Sequence, residues 1–350
     1  MTRITERLGI ELPLIQAGMA GGSTTPQLVA AVSNAGGLGT LGAGYMTADQ
    51  IRSAIREIRA LTPHPFAVNL LLTEPVVPDP EQISAMQEKM KPFRTELGLP
   101  DPAPVTKFAE PFDEQMAVVL EERVPVFSFA FGLLPARWVE ACKQAGILIC
   151  GTATTVREAL LLEASGVDLI VGQGMEAGGH RGTFAGPWQQ GMIGTMALIP
   201  QIVDAVRIPV IAAGGIMDAR GVAAALVLGA EAAQLGTAFL TCVESGAHPH
   251  YQQAILESTE EQITTIREFS GKPARGLTNA FHEQLERHAG DLPPYPIQNA
   301  LTRDIRQAAA RQNRTEFMSM WAGQGTRLSR RESAGELVKR IAEDLAKFHF

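Results

Sequence analysis

The chain has 350 residues, a formal net charge of -7 and 45% hydrophobic content, which is typical of a globular protein with a sizeable core. No lysine and arginine cluster stands out, and no apolar run approaches the roughly 20 residues of a membrane helix, so neither a nucleic-acid nor a membrane partner is predicted. The absence of a signal peptide favours a cytoplasmic location, and the 3 widely spaced cysteines, none in a CxxC pair, predict no disulfide and no metal site.

Short apolar segments recur along the first two thirds of the chain, most of them bounded by Gly, Pro or Asn. Several are apolar throughout, as expected for strands of a parallel sheet that is covered on both faces. The predicted strands are Leu12–Gln16, Gly39–Leu41, Phe66–Leu72, Val124–Phe129, Ile147–Cys150, Asp168–Val171, Pro209–Ala213 and Ala232–Leu235.

Longer stretches with helical patterns separate these strands. The predicted helices include Thr25–Asn34, Thr47–Leu61, Leu134–Gln144, Thr155–Ala164 and Asp218–Leu228. Capping boxes are predicted for Thr47 with Gln50 and for Thr155 with Glu158. Eight strand–helix units over about 240 residues favour an α/β fold of the (β/α)8 TIM-barrel type. A doubly wound open sheet is the alternative, because the number of strands does not show closure.

Two segments interrupt the alternation. The proline-rich stretch 73–122 follows the third strand and is interpreted as an insertion near the barrel mouth. Residues 246–350 are predicted to be helical with polar loops and to form a C-terminal cap on a barrel spanning residues 1–245.

In a TIM barrel, ligands and catalytic groups gather at the carboxyl ends of the strands. Glycines follow the seventh strand at Gly214-Gly215 and the eighth at Gly236, which is followed by Thr237. Exposed backbone N–H groups and a hydroxyl can bind phosphate without a cationic cluster. Each glycine alone is explained by a tight turn, but both loops together, at the usual phosphate positions of a barrel, favour a phosphate site.

The loop after the sixth strand, 172–182, is glycine-rich and contains His180. Close approach of a ligand to the backbone would explain the glycines. A histidine with an ordinary pKa titrates near neutral pH, so both proton transfer and anion stabilisation are open to His180. Glu176 is interpreted as a structural carboxylate that accepts hydrogen bonds from loop N–H groups, with a catalytic role as the alternative. Arg181 is interpreted as a solvated or ion-paired residue rather than a substrate clamp.

Together, these motifs resemble the nitronate monooxygenases, formerly called 2-nitropropane dioxygenases. The resemblance rests on QAGMAGG near the start, GQGMEAGGHRG at 172–182, IPVIAAGGIMDARG at 208–221, LGAEAAQLGTAF at 228–239, and the tail motifs IQNALTRDIRQAAA and MSMWAGQG. It implies a TIM barrel with non-covalent FMN. It also implies oxidation of alkyl nitronates, notably propionate 3-nitronate, by dioxygen without reduced nicotinamide, to a carbonyl compound and nitrite.

The same resemblance implies the site residues. His180 matches the active-site histidine of the family, and the implied FMN contacts are Gly18, Met19, Asn69, Gln173, Gly178, Gly215, Gln234, Leu235, Gly236 and Thr237. Gly18 stands where the family often has proline. Of the tyrosines and lysine that line the substrate pocket in some members, only Tyr295 remains, followed by Asn299 and Arg303.

Two other flavoenzyme groups share similar motifs: the enoyl-acyl-carrier-protein reductases and the NAD(P)H:quinone reductases. The His-Arg-Gly sequence after the double glycine and the WAGQG tail favour the monooxygenase. The expected partners are therefore a small nitronate or nitroalkane and dioxygen, and the resemblance leaves a homo-oligomer open.

Overall fold

A computed structural model describes residues 2–73 and 75–348, so Met1, Glu74, His349 and Phe350, which fall in the predicted barrel, insertion and cap, lie outside it. Parallel strands form the centre of the molecule, and each predicted strand is present within a few residues of its expected bounds. The strands are β1 (Leu14–Gln16), β2 (Gly39–Gly42), β3 (Phe66–Leu71), β4 (Val126–Ala130), β5 (Leu148–Ala153), β6 (Leu169–Gln173), β7 (Gly179–His180), β8 (Val210–Ala213), β9 (Ala232–Leu235), β10 (Ile263–Ile266) and β11 (Ala274–Leu277).

Eight of these strands form one sheet in the order β1-β9-β8-β6-β5-β4-β3-β2. The two edge strands meet where Ile15 bridges Leu38 in parallel, and the Gln16 N–H donates to the Leu38 carbonyl at 2.9 Å. The Gln16 side-chain oxygen also accepts from the backbone N–H of Thr40 at 2.9 Å. These contacts bring the edges together into a nearly closed barrel, so the TIM-barrel prediction is confirmed over the open sheet.

Helices surround the strands and cap one end of the barrel. They are α1 (Arg3–Leu8), α2 (Pro26–Asn34), α3 (Ala48–Leu61), α4 (Pro80–Glu96), α5 (Phe112–Glu121), α6 (Ala136–Gln144), α7 (Val156–Ser165), α8 (Thr195–Ala205), α9 (Ala219–Val227), α10 (Thr237–Leu240), α11 (Pro249–Glu257), α12 (Ala280–Leu285), α13 (Ile297–Leu301), α14 (Arg303–Arg311) and α15 (Ala334–Leu345). Across the described ranges, none of them is long and apolar enough to cross a membrane.

The two predicted capping boxes have different outcomes. Thr47 and Gln50 form the reciprocal pair at the start of α3. At α7 the Thr155 hydroxyl accepts the Glu158 N–H, but the Glu158 carboxylate binds the Thr154 N–H and the loop N–H groups of Phe184 and Ala185 instead. The second predicted capping box is therefore half correct. The Thr155 hydroxyl caps the helix, but the Glu158 carboxylate does not bind the Thr155 N–H, because it binds the neighbouring loop.

The last helix of the described chain completes the ring around the barrel. Leu337 and Val338 of α15 share an apolar cluster with Leu28 of α2 and Val222 of α9. This packing places α15 in the position of the eighth barrel helix. The boundary between barrel and cap at residues 245/246 remains a proposal. Because α15 packs with the barrel helices, we restrict the proposed cap to the segment between β9 and α15.

The predicted insertion contains two helices with different roles. Met116 and Val119 of α5 belong to the main barrel core, so α5 is the helix that links β3 to β4. In α4, Phe93 contacts Phe281 and Phe317 of the cap at ring-centroid distances of 4.8 and 5.7 Å. The part of the insertion that contains α4 therefore packs with the cap.

The cap contains strands as well as the predicted helices. β10 and β11 form an antiparallel hairpin, and β11 also pairs with β7, with Ala274 opposite His180. The alternation over Ile263–Ile266 is too short to have indicated a strand. This small sheet joins the loop after β6 to the cap, so the position of His180 depends on both.

Candidate active site

A cavity opens at the carboxyl ends of the barrel strands, beneath the cap. Its walls include Gly18, Met19, Asn69, Gln173, Gly178, His180, Gly215, Gln234, Gly236 and Thr237. Leu235 is the exception among the predicted site residues. Its side chain is buried in the apolar cluster between the barrel and its outer helices, and its carbonyl accepts the Ala17 N–H at 2.9 Å. Alternation along β9 turns Leu235 away from the cavity.

The loops after β8 and β9, called the glycine loops here (Gly214-Gly215 and Gly236-Thr237), have geometry that a side chain would disturb. Gly214 and Gly215 have φ angles of 120° and 71°. A Cβ on Gly214 would lie 2.8 Å from the Thr195 hydroxyl oxygen, whereas one on Gly236 would meet no protein atom nearer than 3.7 Å. Because Gly236 lines the cavity, a side chain there would occupy the space available to a ligand.

The tail motif WAGQG folds onto these loops. The Gly323 N–H donates to the Thr237 hydroxyl oxygen at 2.9 Å, so that hydroxyl can donate its own hydrogen into the cavity. A Cβ on Gly178 would lie 2.5 Å from the Gly323 nitrogen. Glycine at both positions therefore lets the β6 loop and the tail meet beside the glycine loops.

His180 is held by a serine from the cap. Its Nε2 lies 2.8 Å from the Ser270 hydroxyl oxygen, and that hydroxyl lies 3.0 Å from the Lys272 carbonyl oxygen. Ser270 has one hydrogen to donate, and the Lys272 carbonyl can only accept it. The network therefore assigns the proton of a neutral His180 to Nε2, which leaves the Nδ1 lone pair available as an acceptor.

The surroundings of His180 disfavour its charged form. Burial, followed by the charges of Lys272 and Arg306, lowers the pKa of His180 from 6.5 to about 3. The uncharged imidazole can accept a hydrogen bond or a proton, and the lowered pKa makes it a weaker base than a solvated histidine. It does not fit a permanently protonated anion-binding group, one of the two roles that the sequence left open.

Aromatic side chains enclose His180 on several sides. The ring centroids of Phe131, Tyr295 and Trp321 lie 5.4 to 5.9 Å from the centroid of the imidazole. We call these three residues and His180 the His180 wall. Phe131 follows β4 with a φ of 80°, which is strained for a non-glycine residue and typical of functional positions. The positive φ of Phe131 has no signal in the sequence.

Of the three residues carried over from the substrate pocket, only Tyr295 reaches the His180 wall. The backbone and side-chain oxygens of Asn299 accept hydrogen bonds from Arg306 at 2.7 and 3.0 Å. Arg303 is exposed. Asn299 therefore has a structural role in the cap, and of the three positions only that of Tyr295 is close to His180.

Glu176 and Arg181 support the loop after β6. The Glu176 carboxylate accepts the N–H of Thr195 at 2.9 Å and its hydroxyl at 2.8 Å, at the start of α8, so its prediction as a structural carboxylate is confirmed. Arg181 is buried and donates to the carbonyls of Gln173 and Gly174 at 2.7 and 2.8 Å. Its prediction as a solvated or ion-paired residue is wrong, because unpaired strand-end carbonyls bind the guanidinium.

Two predicted amides are already oriented by the protein. The Gln173 side chain donates to the His180 carbonyl at 3.1 Å and accepts the Gly182 N–H at 2.8 Å. Asn69 donates to the Ser128 hydroxyl at 2.9 Å. Ser128, which the sequence analysis missed, lies on β4 opposite Asn69 in the barrel register. Each amide keeps one N–H for a ligand in the cavity.

The described residues contain neither a metal site nor a thiolate. Within residues 2–73 and 75–348, no group of His, Cys, Asp and Glu could hold a metal ion. Burial raises the pKa of Cys142 to about 11 and that of Cys150 and Cys242 to about 12, so all three thiols stay protonated near neutral pH.

A ligand cavity at the carboxyl ends of barrel strands, lined by two glycine loops and a neutral histidine, is typical of a TIM-barrel enzyme. Residues 1–344 match the family model described as nitronate monooxygenase. A probable nitronate monooxygenase from Staphylococcus haemolyticus is 46% identical over 345 residues, covering 98% of this chain and 96% of that protein. The chain therefore belongs to the nitronate monooxygenase family and is an oxidoreductase.

Solved structures agree with this assignment. A nitroalkane oxidase from Streptomyces ansochromogenes matches with a TM-score of 0.91 and 40% identity, covering 98% of both chains. FabK from Thermotoga maritima matches with a TM-score of 0.79 and 32% identity, covering 99% of this chain and 96% of that one. The likeness is stronger to the nitroalkane oxidase on both measures.

Proposed function

We propose that this enzyme binds FMN and oxidises alkyl nitronates of the propionate 3-nitronate type with dioxygen, giving a carbonyl compound and nitrite. The observation that carries the proposal is the neutral His180, which is hydrogen-bonded to Ser270 and lines the same cavity as the two glycine loops. Family membership supports nitronate as the substrate class.

The residues present fit FMN. The backbone of Gly214-Gly215 and Gly236, with the Thr237 hydroxyl, would hold the phosphate, because these groups offer donors without blocking side chains. Gly18, Met19, Asn69, Gln173, Gly178 and Gln234 would line the remainder of the cofactor site. When bound, FMN would supply the redox chemistry between nitronate and dioxygen.

His180 would act on the proton of the substrate. With a neutral nitroalkane, its Nδ1 would accept the acidic α-proton. The Nε2–H would continue to donate its hydrogen bond to the Ser270 hydroxyl, which fixes the orientation of the ring. A preformed nitronate has already lost that proton, so it bypasses this step. The aromatic residues of the His180 wall would exclude water from the reacting end.

The decisive experiment compares electron donors on purified holoenzyme. Dioxygen uptake and nitrite release are measured with propionate 3-nitronate, and flavin bleaching is measured anaerobically with NADH and NADPH. We expect rapid reaction with nitronate and negligible bleaching by either nicotinamide. Fast stoichiometric bleaching of the flavin by NADH, followed by reduction of a quinone or an enoyl thioester, would instead identify the enzyme as a member of one of the reductase groups.

The cofactor is tested separately. The purified protein should be yellow and release FMN, not FAD, when it is denatured. A colourless native protein that takes up no added FMN would contradict the proposal that FMN is the cofactor.

A further inference from the structure

An apolar part of the cavity lies across the barrel from the glycine loops. In the sheet order, β4 is four strands away from β9 and β3 is four strands away from β8, so these pairs face each other in the eight-stranded barrel. Leu71 at the end of β3 is paired with Ala130 at the end of β4, and Phe131 follows directly. All three residues line the cavity, and we call them the apolar patch.

Contacts from several directions fix the Phe131 ring in this patch. Phe131 is only 7% exposed. Its ring makes edge-to-face contacts with the Tyr295 and His180 rings, at centroid distances of 5.7 and 5.9 Å, and the Lys272 ammonium lies 4.5 Å from its centroid. Both kinds of contact are attractive, so the ring has a defined position at the cavity wall.

The backbone of Phe131 indicates that the ring itself is required there. Its φ of 80° favours glycine and costs any other residue conformational free energy. Glycine is instead the next residue, Gly132, where an added Cβ would meet only Leu72 atoms at 3.5 Å or more, an ordinary contact distance. The chain therefore has a bulky aromatic residue at the strained position and glycine at a position that would accept a side chain.

Phe131 is also close to the reacting end of the substrate. A carbon that gives its proton to His180 must lie about 3 Å from the accepting nitrogen. The Phe131 centroid is 5.9 Å from the imidazole centroid. An alkyl chain that extends from this carbon toward the apolar patch therefore meets the phenyl ring within a few carbon atoms.

We propose that Phe131, backed by Leu71 and Ala130, limits the length of the carbon chain that the substrate pocket accepts and restricts the enzyme to short-chain nitronates. This inference rests on the proposed nitronate oxidation. A closely fitting apolar wall discriminates against added methylene groups, because they overpack it. Phe131 is then a specificity residue, and His180 remains the residue at the reacting carbon.

The main test is Phe131→Ala, which removes the ring. The values of kcat/KM are measured on holoenzyme for ethyl nitronate and hexyl nitronate. We expect the wild type to favour ethyl nitronate about tenfold or more, since a single methylene group in an apolar pocket changes kcat/KM by about 10- to 200-fold. The variant should lose most of this preference. A wild type that uses both substrates equally, or an unchanged ratio in the variant, would overturn the proposal.

Phe131→Gly guards against a folding defect in the alanine variant. Alanine keeps the strained φ of 80°, whereas glycine adopts it without a steric cost. The glycine variant should therefore have a higher Tm than the alanine variant and should lose the preference for ethyl nitronate to the same extent. A glycine variant that keeps the wild-type preference would overturn the proposal.

Phe129→Leu is the matched control. Phe129 lies two residues earlier on β4, but it is fully buried in the main barrel core and does not line the cavity. Leucine limits the void left in that core. The Tm should decrease, and the ratio between the two nitronates should stay unchanged. A shift in that ratio as large as the one in Phe131→Ala would overturn the assignment, because it would show that loss of any β4 ring has this effect.

A binding measurement separates the chain-length limit from the reaction. Isothermal titration calorimetry on holoenzyme compares propanoate with heptanoate, whose planar carboxylate replaces the nitronate group. We expect the wild type to bind propanoate more tightly, and Phe131→Ala to bind heptanoate at least as tightly as propanoate. This result would support the limit even if no nitronate were oxidised. Equal affinities in the wild type, or no binding of either anion, would overturn the limit, while the proposed function would still be decided by the oxidation assay.

Discussion

The glycine loops and the His180 wall belong to the same cavity but are assembled differently. Gly214-Gly215 and Gly236-Thr237 each follow directly from one barrel strand, and their geometry is set by local backbone conformation. The His180 wall joins a barrel loop to the cap, through Ser270 and through the pairing of β7 with β11. Cofactor binding should therefore depend on single positions, and substrate chemistry on contacts between segments distant in sequence.

The largest effect is expected at the His180 wall. In His180→Asn, a hydrogen-bonding group remains but proton transfer is lost, so kcat/KM for neutral nitroalkanes should fall about 10²–10⁴-fold. Activity on preformed nitronate should be largely spared. Steady-state assays on both substrates measure the difference, and equal losses in a variant that still holds FMN would contradict the base role.

A substitution in the glycine loops should weaken cofactor binding. Gly215 has a φ of 71°, and a Cβ there would lie 3.2 Å from the Glu176 Cβ. Valine should therefore weaken FMN binding by about 10- to 100-fold, the range expected for a strained backbone position. Fluorescence titration of the apoprotein gives the FMN Kd.

The matched control for that substitution is Gly335→Ala, at a helical position in α15 where an added Cβ meets no atom within 4 Å. It should bind FMN like the wild type. If Gly215→Val also retained normal affinity, the glycine loop would not be the phosphate site.

Ser270→Ala tests the link between barrel and cap. Without the hydroxyl, the imidazole loses the partner that fixes its tautomer and orientation. We expect kcat/KM for nitroalkanes to fall about tenfold, the usual contribution of one buried hydrogen bond, with FMN affinity unchanged. Loss of FMN in this variant would show that the cofactor and substrate regions are coupled.

The smallest effect concerns pH. Because the pKa of His180 is lowered to about 3, its base form is already complete well below neutral pH. The kcat/KM profile for a neutral nitroalkane should therefore show no loss of the base between about pH 8 and pH 5, where an unperturbed histidine would titrate. A sigmoidal decrease centred near 6.5 would mean that the imidazole is solvated in the working enzyme.

The same contrast explains what the sequence could predict. The barrel strands and Gly215 follow from local patterns of apolar residues and glycines, and the cavity contains Gly215 as expected. Ser270 lies on a polar segment whose sequence resembles ordinary surface. It contacts His180 only because tertiary packing brings the cap onto the barrel mouth, and no local pattern encodes that packing.

The position of α15 also affects how the protein folds during synthesis. Its apolar face covers α2 and α9, so part of the barrel surface stays exposed until almost the whole described chain has left the ribosome. Contacts between such distant segments slow folding, and exposed apolar surface favours aggregation in the interval. A nascent chain arrested after β9 should therefore bind chaperones that the completed chain, with α15 in place, does not need.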